Sequence, residues 1–221
     1  MGDGPRHYAR SMGSETTRAA ARLLLIEAAA LRPVLEAAAI EDLDLPTVCA
    51  GWSVRDVLAH CGAAMTMLAS GEVHRFTPAD NQRDVEARRR WSLDAVLGEL
   101  FAGYRSAAVA IADAGGVFDG VGLGEWMHGG DVREALGVAD AYVSAGSDLA
   151  LRLLLERSEQ MGRPGAEAHI DGEAHRFGAG VVTGSIEADL ETFVRLCGAR
   201  RPDPGRYRLV GLDPSDLVLF S

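Results

Sequence analysis

Lysine is absent from this chain of 221 residues, and all 22 of its basic residues are arginines. The absence excludes chemistry that passes through a lysine Schiff base. The chain also has 32 acidic residues, which gives it a net charge of −10. Because phosphate binding needs a basic surface, we expect no nucleic acid partner.

Long apolar runs are missing as well, although 48% of the residues are hydrophobic. No run approaches the roughly 18 residues that a transmembrane helix needs. The segment from Met1 to His7 contains no apolar stretch of the kind that a signal peptide requires. We therefore expect no membrane partner and a cytoplasmic location.

Cysteine is scarce, with three residues, Cys49, Cys61 and Cys197, and no CxxC spacing. An odd number of cysteines without that spacing is typical of reduced thiols. Each of them is expected to be a small buried side chain. The sequence also lacks the glycine-rich nucleotide-binding motifs and the GxSxG motif of serine hydrolases, so neither function is supported.

Apolar residues at helical spacing predict four helices in the first part of the chain. We expect them over residues 15–40, 54–71, 92–113 and 123–136. Residues 1–14 are predicted to be a loose leader, and the polar residues 72–90 a long connection. Four helical segments indicate a four-helix bundle.

The rest of the chain has a mixed pattern. One helix is expected at Ser147–Gln160, short strands on either side of a turn at Asp171-Gly172, and an amphipathic helix at Ile186–Cys197. The predicted further strands are residues 207–210 and 217–220. The fold class is therefore mainly α with a small α+β C-terminal unit, in which a bundle over 1–142 precedes a mixed domain over 143–221.

Two histidines are candidate metal ligands. His60 and His128 lie on or beside the apolar faces of two different predicted helices, and Glu125 and Asp131 are each three residues from His128. Side chains three residues apart are neighbours on a helix. Two histidines and one carboxylate suit Zn²⁺ or another divalent first-row metal and leave a position open for a substrate. Either acid could complete such a site, and the same spacing also allows a plain acid–histidine pair in the core.

Other residues near these motifs have two interpretations. Trp52 and Trp126 could line a substrate pocket or belong to the core. The arginines at 195, 200 and 201 could bind a carboxylate substrate or form a solvated surface. Gly129-Gly130 lowers helix propensity, which indicates a close backbone approach or a helix that begins later.

The quoted motifs resemble one known family. Residues 46–60 (PTVCAGWSVRDVLAH) are similar to the first signature of the mycothiol-dependent maleylpyruvate isomerase family, which is part of the wider DinB/YfiT-like metal-binding bundles. The stretch from His128 to Asp131, closing with Ala135-Leu136-Gly137, resembles its second signature. The tail from Gly184 to Phe220 resembles the small C-terminal domain that often follows the bundle.

The resemblance implies a DinB-like four-helix bundle that holds a divalent metal, commonly zinc. His60 and His128 would be two of the ligands. The family's third ligand usually precedes the second histidine by four residues, where this chain has Gly124. Glu125 is our first choice for the third ligand, and Asp131 is a second-shell residue or an alternative ligand.

The resemblance also implies a function. Family members use the low-molecular-weight thiol mycothiol as cosubstrate, so we expect a metal-dependent thiol S-transferase or cis–trans isomerase. Its partners would be a small thiol and a small electrophile, including carboxylates, bound by Trp52, Trp126 and Arg200, in a monomer or homodimer. The alternatives are a biosynthetic member with a divergent or metal-free reaction, and a non-catalytic bundle that binds a small molecule.

Overall fold

A computed structural model describes the backbone of residues 4–73 and 76–220, and the side chains of residues 18–73 and 76–220. The chain divides into two compact units, Met1–Ala139 and Asp140–Ser221.

The first unit is helical. Its helices are α1 (Gly4–Ala37), α2 (Val54–Ser70), α3 (Pro78–Arg88), α4 (Leu93–Asp113) and α5 (Asp119–Ala135), with a short 3-10 turn at Ile40–Asp44. The four longest, α1, α2, α4 and α5, pack as a bundle in which α4 contacts α1 and α2, and α5 contacts the same two helices. The bundle predicted from the periodicity is thus confirmed.

Local signals fix the ends of α2 and α4. The Ser53 hydroxyl accepts from the Asp56 N–H, and the Asp56 carboxylate accepts from the Ser53 N–H at 3.1 Å, which makes a capping box. Gly71, at φ 74°, ends α2 in the left-handed conformation. Ser92 caps α4 through the Ala95 N–H. The sequence predicted these two helices with nearly correct ends.

Two predictions for the first unit were wrong. Helix α1 begins at Gly4, so residues 4–14 are not a loose leader, while residues 1–3 lie outside the described part. Residues 78–88 form α3 instead of part of a connection, with Thr77 as its N-cap and Pro78 at its first position. Only Val85 of α3 is buried, so this helix has no apolar periodicity to reveal it.

Helix α4 is long and apolar enough, by length and composition alone, to cross a membrane, with a mean hydropathy of 1.3. It is the one such helix among the described residues. Its apolar residues pack in the bundle core, where Leu100, Tyr104 and Ile111 are buried. Asp94 and Arg105 of the same helix are exposed. A core helix of a bundle passes the same test of composition.

The second unit combines two helices with a small sheet. Its elements are α6 (Ser147–Gln160), β1 (Pro164–Ile170), β2 (Glu173–Phe177), β3 (Ala179–Ala188), α7 (Leu190–Cys197) and β4 (Tyr207–Val210). The strand order is β2-β1-β3-β4; β1 and β3 run parallel, and the other neighbours are antiparallel. The β1–β2 hairpin turns at Asp171-Gly172 as predicted, with φ 51° and 84°.

Two boundaries in the second unit differ from the prediction. Ile186 to Ala188 belong to β3, where they pair with β1 and β4, and α7 begins only after its N-cap, Asp189. The expected strand at 217–220 is also wrong, because a 3-10 turn covers Pro214–Leu217 and no regular element follows in the described chain. The periodicity did reflect burial there, since Leu217 and Leu219 are core residues.

Candidate metal centre

A tight loop before α2 positions the first part of the site. The Thr47 hydroxyl and N–H both donate to the Trp52 carbonyl, at 2.9 and 3.0 Å. The Trp52 N–H donates to the Cys49 carbonyl at 2.9 Å, and Gly51 takes φ 83°, which favours glycine. These bonds hold Cys49 and Trp52 at the start of α2, the helix that carries His60.

The two candidate histidines lie side by side. The rings of His60, on α2, and His128, on α5, have centroids 5.2 Å apart and meet edge to face at 84°. The Trp52 ring lies 4.9 Å from the His60 ring, and its Nε1 donates to Gln82 Oε1 of α3 at 2.9 Å. The two histidines that the sequence placed on separate helices therefore lie at one location in the bundle.

Cys49, His128 and Asp131 form a compact cluster of ligand atoms. Asp131 Oδ2 lies 3.0 Å from His128 Nδ1 and 3.3 Å from Cys49 Sγ, and Cys49 Sγ lies 3.7 Å from His128 Nδ1. Among the described residues, these three side chains form a group that could hold a metal ion. We call it the Cys–His–Asp cluster.

The electrostatics of the two histidines differ. Burial alone lowers the pKa of His128, but its hydrogen bonds to Asp131 and Cys49 outweigh that effect and raise the pKa to about 10. Burial, followed by the positive charges of His128 and Arg88, lowers the pKa of His60 to about 3. The His60 imidazole is therefore neutral, and its buried Nδ1 has no hydrogen-bond partner in the described part of the chain.

Glu125 lies in the bundle core beside Cys61. Its side chain is 3% exposed, and burial raises its pKa to about 7 against the opposing effects of His128 and of a hydrogen bond with Cys61. Burial also raises the pKa of Cys61 well above its usual range, so this thiol stays protonated. The Glu125 carboxyl is not part of the Cys–His–Asp cluster, and no described residue forms a hydrogen bond with its Oε2.

The remaining predicted site residues fall in different places. Trp126 is completely buried in α5. Arg200 belongs to the second unit, where its Nη1 donates to the Gly198 carbonyl at 2.6 Å, and its role with substrate stays a prediction. In the same unit Arg195 pairs with Glu191 at 2.8 Å.

Sequence reasoning missed Cys49 and Gln82. Cys49 was expected to be a buried core side chain like Cys61, yet it is partly exposed and contacts both His128 and Asp131. Gln82 was placed in a connection. For Cys49 the one available signal was its position in the motif of residues 46–60.

Helix α5 approaches α1 closely beside the site. A Cβ atom at Gly129 would lie 1.8 Å from Glu27 Oε1, and the same oxygen accepts a hydrogen bond from buried Arg133. Glu27 is completely buried. The close approach of α5 to α1 therefore requires glycine at position 129, as the glycine pair in a predicted helix indicated. Gly129 directly follows His128.

Comparison with known proteins points to one family. Residues 24–139 match the sequence profile of the mycothiol maleylpyruvate isomerase N-terminal domain. No curated protein matches the chain. Among solved structures, the chain is similar to the mycothiol-dependent maleylpyruvate isomerase, with 16% identity and a TM-score of 0.49. It is also similar to a histidine-to-alanine mutant of that isomerase, with 15% identity and a TM-score of 0.47, and both matches cover 96% of each chain.

The profile match covers more than half of the chain, and in the bundle it includes α2 to α5 and the part of α1 from residue 24 onward. It also includes all four residues of the site, Cys49, His60, His128 and Asp131. The protein therefore belongs to the family defined by the mycothiol maleylpyruvate isomerase N-terminal domain.

Proposed function

We propose that this protein is a metal-dependent enzyme that uses a mycothiol-type thiol to isomerise or conjugate a small electrophile. The observation that carries the proposal is the adjacency of His60 and His128, two imidazoles from different helices with ring centroids 5.2 Å apart. Zinc as the metal, a cytoplasmic location and a monomeric or homodimeric state are parts of the same proposal.

The donor atoms at the site fit a divalent cation. Imidazole nitrogen, thiolate sulfur and carboxylate oxygen are the ligands that Zn²⁺ takes in proteins. The buried His60 Nδ1 has no hydrogen-bond partner among the described residues, and the Asp131 carboxylate is 0% exposed, where a nearby positive charge stabilises it. His60 and His128 would hold the metal together with an acid, for which the sequence favours Glu125.

A bound divalent metal would lower the pKa of a thiol and so supply a thiolate at neutral pH. The protein's own residues arrange the surroundings. Asp131 fixes the ring orientation of His128 through Nδ1. Trp52, held by Gln82, covers the His60 ring with an apolar surface that limits access of water.

The two candidate reactions share their first step, in which the thiolate forms a C–S bond to a double bond activated by a carbonyl or carboxylate group. In an isomerase the resulting single bond rotates, and loss of the thiolate gives the trans product. In a transferase the C–S adduct takes up a proton and is released. The family assignment supports thiol-dependent isomerisation at the level of the family.

One observation favours a non-catalytic bundle as the second candidate. His128 and Asp131 already satisfy each other as an ion pair at 3.0 Å, so the cluster could be a structural contact between α5 and the loop before α2. A biosynthetic member with a metal-free reaction is the remaining alternative. The metal content of the protein separates both from the main proposal.

Elemental analysis of the purified protein tests the proposal. The matched control is His169→Ala, because His169 is a partly exposed histidine of the second unit. We expect close to one equivalent of zinc in the wild type and in this control, and affinity reduced by more than about tenfold in His60→Ala and His128→Ala. A wild type that stays metal-free after incubation with zinc and dialysis would contradict the metal-dependent function.

A further inference from the structure

We infer that helix α3 is a gate over His60, which opens as a unit and closes through the hydrogen bond between Gln82 and Trp52. The inference goes beyond the proposed function, because it concerns access to the histidine and holds whether or not the bundle binds a metal. In the proposed function α3 serves only as a fixed support for Trp52.

In the closed position α3 covers His60 through one intervening side chain. The Trp52 ring lies 4.9 Å from the His60 ring, and its Nε1 donates to Gln82 Oε1 at 2.9 Å. The Gln82 amide nitrogen donates to Glu86 Oε1 at 3.0 Å, which fixes the orientation of the amide. His60 is 6% exposed in this arrangement, so a molecule that approaches from the Trp52 side reaches it only after this layer moves.

Helix α3 is held to the bundle by little apolar contact. It packs on α2, and Val85 is the one residue that it buries. Burial of a single valine offsets only a small part of the conformational entropy that a helix of this length loses on ordering. Elements with few buried apolar contacts open locally at a much smaller free-energy cost than global unfolding. We therefore expect α3 to open while the rest of the bundle stays folded.

An unsatisfied polar atom also weakens the closed position. The side-chain oxygen of Asn81, on α3, is buried and has no hydrogen-bond partner among the described residues. A buried acceptor without a partner costs free energy that hydration restores. Opening of α3 would expose Asn81 to water, so this atom favours the open position.

The C-terminal end of α3 is held more firmly, at the turn into α4. Arg88 donates two hydrogen bonds to the Glu99 carboxylate of α4, at 2.5 and 2.7 Å, and also lies over the Trp91 ring. A bidentate pair of this kind is stronger and more specific in geometry than a single hydrogen bond. Because the contact that covers the site is one hydrogen bond from Trp52 to Gln82, we expect α3 to swing about its C-terminal end.

Such a gate has a direct use in the proposed reaction. Opening would admit a thiol and an electrophile to the two histidines. Closing would return the apolar Trp52 ring to His60 and exclude water from the reacting groups. All parts of the gate lie in the first compact unit.

Chemical access to His60 tests the gate in the full-length protein after treatment with a chelator. Diethyl pyrocarbonate acylates the imidazoles that it can reach, and peptide mass spectrometry gives the rate at each histidine. We expect Gln82→Ala to raise the rate at His60 roughly two- to tenfold, because one hydrogen bond that closes the gate is lost. The rate at His169, a partly exposed histidine of the second unit, should stay the same. Gln160→Ala, at an exposed glutamine of α6, is the matched control and should change neither rate.

Hydrogen exchange of the same proteins shows whether the helix itself moves. In the wild type the amides of α3 should exchange much faster than those of α2 and α4. Val85→Ala removes the buried contact of α3 and leaves the bond between Gln82 and Trp52 in place. It should raise the exchange of α3 and the modification of His60 together, by at least about tenfold.

Three results would overturn the gate. Amides of α3 that are as protected as those of α2 would show that α3 opens only when the bundle unfolds. An unchanged rate at His60 in Gln82→Ala would show that the bond to Trp52 does not control access. Faster exchange of α3 in Val85→Ala without faster modification would show that α3 does not cover the route to His60. None of these results depends on the metal content, which tests the proposed function separately.

Discussion

Gly129 shows how one missing side chain shapes the site at the residue scale. The carboxylate of Glu27 passes over the Gly129 backbone, and it cannot easily move away because it is completely buried and bonded to Arg133. Gly129 also directly follows His128. A change at this position should therefore affect both stability and the metal centre.

We expect Gly129→Ala to lower the free energy of unfolding by about 2 kcal/mol or more, because the new Cβ would overpack the core and displace a buried ion pair. Gly98→Ala is the matched control. Gly98 lies in α4, where an added Cβ meets no atom of the described residues within 4 Å, so this change should stabilise the protein by about 0.5–1 kcal/mol. Urea denaturation of both variants measures the difference, and equal effects would contradict the close approach.

Asp189 gives a second residue-scale prediction, on pH. Its side chain accepts from the Thr192 N–H at 2.7 Å and from Arg206 at 2.9 Å. Burial alone raises the pKa of Asp189, but these hydrogen bonds and the Arg206 charge outweigh it and lower the pKa below its usual value. The folded pKa is therefore lower than the unfolded pKa of about 3.9.

A lowered carboxyl pKa stabilises the folded state above the unfolded pKa, and this contribution is lost as the pH falls through the folded pKa. The difference in thermal stability between wild type and Asp189→Asn should thus be present at about pH 7 and shrink below about pH 4. Arg206→Gln should reduce the same difference, because it removes one of the two partners. Thermal melts across this range check the prediction, and a difference that grows on acidification would refute it.

At the scale of elements, α3 is the clearest case of a helix that apolar periodicity does not reveal. It buries only Val85, so the pattern of its side chains resembles that of a polar connection. The chain does carry local signals for this helix, namely a threonine N-cap followed by proline at the first helical position. Through Gln82, α3 holds the Trp52 ring that contacts His60.

The packing of α1 against α5 depends on the buried pair of Glu27 and Arg133. We expect Arg133→Met to cost about 3 kcal/mol of unfolding free energy, because it leaves the Glu27 carboxylate buried without its partner. The double variant Glu27→Leu/Arg133→Met should recover most of that loss, since it removes both charges.

Arg152→Met is the control for this pair. The Arg152–Glu156 pair is solvent-accessible and 3.9 Å long, so its loss should cost less than about 1 kcal/mol. Chemical denaturation of the three variants makes the comparison. A double variant as unstable as Arg133→Met would show that the pair does more than balance charge.

On the scale of the whole molecule, the family assignment and the site belong to the same part of the chain. The profile match ends at residue 139, where the first compact unit also ends. All residues of the candidate centre lie in that unit. The second unit carries Arg200, whose predicted contact with a carboxylate substrate requires a test of its own.

The sequence by itself determined the features that depend on short local motifs and on the periodicity of apolar residues. The bundle, the capping of α2 and α4, the hairpin at Asp171-Gly172 and the inward faces carrying His60 and His128 all follow from such patterns. The motif of residues 46–60 was also sufficient to identify the family that the profile match confirms.

Only the tertiary structure decided which side chains meet. Cys49 contacts His128 and Asp131 across 79 and 82 residues of chain, and Glu125 lies with Cys61 although its spacing from His128 equals that of Asp131. Periodicity assigns a residue to a helix face, but it does not give the rotation of that helix against its neighbours or the path of a loop. Those are set by packing of the whole core, and the composition of a metal centre depends on them.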